Sequence, residues 1–161
     1  MRSWPGDRAG RDVPVNRRTG WADLLVPFLV AAVLAYLALR VAYESLPPFQ
    51  WFTALPIAAL AAIEFVLAGR VRGAVRHRPQ ARPVTALAIA RAVALGKASA
   101  LVGALIAGAA VALVSYVVPD VGRTGAAGHD VRVGLLLVAA GVVLTAAGLL
   151  LERAGIDPGR R

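Results

Sequence analysis

The sequence predicts an all-α membrane protein: four transmembrane helices in an antiparallel bundle, with both termini cytoplasmic. Three observations carry this. Four apolar stretches, 24–43, 51–69, 97–118 and 131–151, each approach the roughly 20 residues a helix needs to cross a hydrocarbon core about 30 Å thick. At 58% hydrophobic and 17% charged, with a mean hydropathy of +0.67, the 161 residues hold more apolar surface than a soluble domain of this length could cover. The arginines are also unevenly placed. Fourteen precede the first stretch, separate the second from the third or follow the fourth, against three at the other ends of the stretches. Basic residues are retained on the cytoplasmic side during insertion, so this bias places both termini and the central connection inside, in a multi-pass protein of the plasma membrane.

Several function classes lose support at once. With no cysteine, there is no disulfide framework, thiolate nucleophile or cysteine-ligated metal. His77 and His129 fall in different connections, so no metal site is expected. Ser45, Ser99, Ser115 and Thr145 lack a positioned His or Asp, and no GxxxxGK[ST] loop occurs. No catalytic residue and no cofactor are therefore expected, and the protein reads as a non-enzyme. The net charge of +9 follows the ends of the apolar stretches and comes with no aromatic platform, which points to anionic lipid headgroups and not to nucleic acid. The first apolar run, about 20 residues long, exceeds the 7–15 of a signal-peptide core and reads as an anchor.

Taken in order, residues 1–20 mix Arg, Asp, Gly and Pro with few apolar side chains and are expected as a disordered basic cytoplasmic tail. Residues 21–153 form the four-helix domain and 154–161 a second tail. Trp21 marks an interface, Asp23 can cap the first helix, and Pro27 falls near its start. Arg40 can snorkel outward or pair with Glu44 four residues on. Pro47 and Pro48 predict a tight turn that makes spans one and two an antiparallel hairpin. Tyr43, Phe49, Trp51, Phe52 and Tyr116 gather at one level as an aromatic belt. Pro56 suits the first turns of span two.

The connection from Arg70 to Pro83 is basic and solvated. From Val84 to Pro119 the apolar pattern exceeds one bilayer thickness, so the part from Thr85 to Gly96, carrying Arg91, is expected as a helical extension at or below the inner surface. Residues 119–130 read as a polar outer loop. In span four, Gly134, Gly141 and Gly148 recur every seven residues and mark a helix contact face.

Glu64 is the one acidic residue deep in an apolar span. A lone charge there is costly, so it is expected to be either neutral or partnered. Lys97, the one lysine, is the first candidate partner and Arg91 the second; Lys97 shares a helix face with Ala100, Ala104 and Gly108, within about 60° on a helical wheel. Such a pair would fix helix register, whereas a substrate or proton site, or an unpaired protonated Glu64, are the alternatives. Arg91 is expected to contact lipid headgroups.

Tyr43–Trp51 (YESLPPFQW), Glu64 and above all Ala88–Ala104 (AIARAVALGKASALVGA) resemble a family of actinobacterial integral membrane proteins of unknown function, domain-of-unknown-function family 3180, often encoded near folate-biosynthesis genes. The resemblance covers roughly residues 24 to 152. It marks Glu64, Arg91, Lys97, Ser99 and Gly103 as pattern residues without giving them roles, and GRTGAAGH at 122–129 departs from the family's longer acidic loop. Gly103 and Gly108 join the glycines of span four as expected packing positions. The function expected is that of a packing or accessory subunit, binding itself or a membrane partner. The alternative is a small transporter or transport-accessory protein, with a polar site at Glu64 and Lys97 and a link to folate or pterin metabolism.

Overall fold

The computed structural model describes residues 19–45, 50–75 and 85–155. Expectations for the first eighteen residues, the Pro47–Pro48 turn, Phe49, most of the basic connection, the C-terminal tail and the Glu44 side chain lie outside these residues. The described chain forms four long helices: α1 (Trp21–Ala42), α2 (Ala54–Val75), α3 (Ala86–Val117) and α4 (Gly125–Ala154). All four are long and apolar enough to cross a membrane, and no strand occurs among the described residues.

Local chemistry sets the ends. Asp23 accepts the Gly20 amide at 2.9 Å, closing the first turn of α1. Thr85 caps α3 through its hydroxyl, which accepts from the Ala88 amide at 3.3 Å. At the far end of α3, Pro119 enters a single 3-10 turn, and Gly122 at φ 88° takes the left-handed conformation that reverses the chain.

Two boundaries differ from expectation. α2 continues to Val75, past Gly69, because Arg70 and Arg72 can remain helical while their exposed heads leave the apolar zone. The polar outer loop is shorter than expected. α4 already begins at Gly125, and Asp130 is helical and only 7% exposed because Tyr43 hydrogen-bonds to it. The extension of span three is helical and continuous with it, in one helix of 32 residues.

The helices stand in the order α1, α3, α4, α2. α3 and α4 form the central antiparallel pair, α1 packs on α3, and α2 packs on α4 while barely meeting α3. Leu24 packs with Ala100 and Ala104, and Leu39 with Leu113 and Val117, so α1 runs parallel to α3. Ala61 packs with Leu144 and Ala147, and Ala68 and Val71 with Leu151 and Ala154, so α2 runs parallel to α4. The expected hairpin of spans one and two is not formed as a packed pair: no Cα of α1 lies within 8 Å of one in α2. The central helices supply the small residues that permit close approach, and α1 and α2 each find their partner there.

Candidate functional site

The central seam is built from small residues on both helices. A Cβ added at Gly103 would stand 2.7 Å from the Gly141 carbonyl oxygen, and one at Gly141 would stand 2.8 Å from that of Gly103. Gly148 and Gly96 oppose each other in the same reciprocal way, and Gly134 meets Val114. Backbone therefore touches backbone over the heptad from Gly141 to Gly148, while Gly134 leaves room for the Val114 side chain; such close approach suits apolar surroundings, where dispersion holds helices together. Thr145 adds a polar tie, donating to Gly141 O at 2.9 Å and lying 3.4 Å from Ala100 O across the seam. Gly108 is placed elsewhere: it lies against the Phe28 backbone of α1.

Three acids are buried around this seam. Asp130 accepts the Tyr43 hydroxyl at 2.7 Å, and Tyr43 in turn packs on Tyr116, with ring centroids 5.2 Å apart, next to Tyr36. At the opposite end, Glu152 is 5% exposed, and one of its oxygens accepts the Thr19 amide at 2.9 Å. Between these levels lies Glu64, fully buried between α2 and the central pair. Ser99 of α3, itself buried, is its polar neighbour, yet neither carboxyl oxygen has a hydrogen bond among the described residues. No group of three or more metal-ligating side chains occurs among the described residues.

The expected Glu64–Lys97 ion pair is not formed. Lys97 is exposed, and neither Glu64 oxygen has a hydrogen-bond partner among the described residues; an ion pair is seen instead on the surface, between Arg123 and Asp120 at 3.8 Å. Helical phase explains the correction. Lys97 does share the Ala104 and Gly108 face, but that face turns to α1, as the packing of Leu24 and Phe28 shows. Ser99, which meets Glu64, stands about 160° away around α3. Arg91 is exposed and lines a groove together with Arg70.

Sequence reasoning missed Asp130, Thr145 and Glu152. All three lie within about 40° of the Gly134, Gly141 and Gly148 stripe on the α4 wheel. Acids placed on a small-residue packing face were the available signal. Of the expected aromatic belt, Tyr43 and Tyr116 meet through ring packing, as do Trp51 and Phe52 at 6.3 Å.

No curated protein and no solved structure matches the chain. One family model does match, over residues 24–158, and its description reads protein of unknown function (DUF3180). The match spans all four helices, and with it the buried acids and the glycine seam, so the chain belongs to that family.

Proposed function

We propose that the protein is a non-enzymatic accessory subunit of the plasma membrane that receives a transmembrane helix of a membrane partner between α1 and α2. The observation that carries this reading is the gap left by those two helices. It is a groove of about 470 Å³ with Ala35, Ala38 and Ala42 of α1 and Ala109 of α3 along its sides, and larger apolar residues such as Ile57 of α2 and Leu137 of α4 between them. The alanines of α1 and α3 let another helix backbone approach closely there, and lipid supplies no hydrophobic penalty that would close the gap otherwise. α1 is anchored by few buried residues, Leu24 and Leu39, and leaves Val33, Leu34, Leu37 and Val41 exposed. The arginine bias supports cytoplasmic termini for this reading.

The test uses a photo-crosslinking residue at Ala38 in native membranes, with Val142 on the exposed face of α4 as control. A single defined protein species captured from position 38 and not from 142 supports the reading. Lipid alone at both positions overturns it. If the captured species is this chain itself, the partner is a second copy.

A second reading, transport or proton handling, is favoured by Glu64: a carboxyl fully buried without a completed hydrogen bond is expensive and is commonly kept for function. It predicts a proton or solute flux in proteoliposomes that Glu64→Gln removes while folding is kept; a parent protein without flux ends it. The folate or pterin link implied by the family resemblance belongs with this reading, and pterins are the solutes to assay first.

A further inference from the structure

Where α2 ends and α3 begins, a groove of about 380 Å³ runs between the two helices. Arg70 of α2 and Arg91 of α3 form its charged rim, and Leu67 and Leu95 line it. Leu67 lies three residues and Leu95 four residues toward the middle of the molecule from these arginines, so the apolar part is about 4.5–6 Å deeper than the charged part. Leu87 and Thr85 close the shallow side, where the capped first turn of α3 presents the positive end of the helix.

Among the described residues, no carboxylate pairs with these arginines. From Phe65 to Pro119 the sequence carries seven cationic side chains and no Asp or Glu. Glu152, the acid of α4 at this end, is buried and accepts the Thr19 amide. A free phosphate would satisfy the rim and leave the leucines uncovered, while a neutral lipid would cover the leucines and leave the arginines bare.

We propose that this groove binds one anionic phospholipid, its phosphate between Arg70 and Arg91 and an acyl chain along Leu67 and Leu95. The site needs only that these helices cross a bilayer, and it holds whichever leaflet the groove faces. It is independent of the partner groove, which lies between α1 and α2.

The test is native mass spectrometry of the full chain, released from micelles holding equal amounts of phosphatidylglycerol and phosphatidylcholine. The parent is expected to retain phosphatidylglycerol selectively. Arg70→Gln with Arg91→Gln should lose about 30-fold in retention, the value for two basic side chains at a membrane surface, while Arg123→Gln with Arg132→Gln should retain it. Excess inorganic phosphate should neither occupy the site nor displace the lipid. Equal retention of the two lipids by the parent overturns the proposal, and that result is readable even if the double variant fails to fold. Loss in the Arg123 and Arg132 variant would mean a general charge effect, and displacement by phosphate a free-anion site; either also overturns it.

Discussion

At the scale of single residues, the buried acids divide by what satisfies them. Asp130 has a hydroxyl donor, Glu152 has a backbone amide on one oxygen, and Glu64 has no completed bond. Glu64→Leu is therefore expected to keep or raise stability, by about 1–3 kcal/mol, because it removes a buried carboxyl that has no completed hydrogen bond. Unfolding in mixed micelles measures this, and a loss of similar size would show that Glu64 has a partner. Tyr43→Phe should cost about 1–2 kcal/mol, since it strips the buried Asp130 carboxyl of its hydroxyl donor; a double-mutant cycle with Asp130→Asn isolates that term. That Glu64 lies buried was legible in the sequence, as a lone acid deep in an apolar run. Its neighbour was not legible: a helical wheel says which residues share a face, and not which helix that face will meet. Lys97 kept its predicted face and turned toward α1. The charge exchange Glu64→Lys with Lys97→Glu should accordingly give no rescue of the loss caused by Glu64→Lys alone.

At the scale of elements, the α3–α4 seam is the part whose geometry tolerates least. Gly141→Val would push side-chain atoms into the backbone of Gly103 and Ala107, neither of which can yield cheaply. A loss of more than about 3 kcal/mol, or failure to fold, is expected. Gly69→Ala has nothing within 4 Å of its new methyl group and should be neutral or gain up to about 1 kcal/mol from helix propensity. Thermal unfolding of the two variants side by side checks the contrast. The seven-residue spacing of Gly134, Gly141 and Gly148 made one half of this seam visible in the sequence. Gly96 in the other half was hidden, because it was placed in a surface extension and not in the packed span. The start of α4 was hidden for a related reason: Asp130 was read as solvated, and its burial depends on a tyrosine 87 residues away.

For the whole molecule, four helices and an all-α architecture followed from length and hydropathy, but the neighbour relations did not. A short connection brings two helix ends together without making the helices pack, and α1 and α2 separate because each finds a closer fit against the alanine- and glycine-rich central pair. That separation creates the groove on which the accessory reading rests. The arginine bias makes its own prediction at this scale: reporter fusions at both termini should report the cytoplasm, and a terminus found outside would contradict the proposed orientation.

The helix order is open to one direct measurement, helped by a chain without cysteine. Disulfide formation needs Cα atoms within about 7 Å, so paired cysteines introduced in intact membranes report neighbours. Leu24→Cys with Ala104→Cys, and Ala61→Cys with Ala147→Cys, should crosslink readily on mild oxidation, while Ala35→Cys with Ile57→Cys should not. Crosslinking of the α1–α2 pair within one chain, with failure of the other two, would contradict the arrangement and remove the groove.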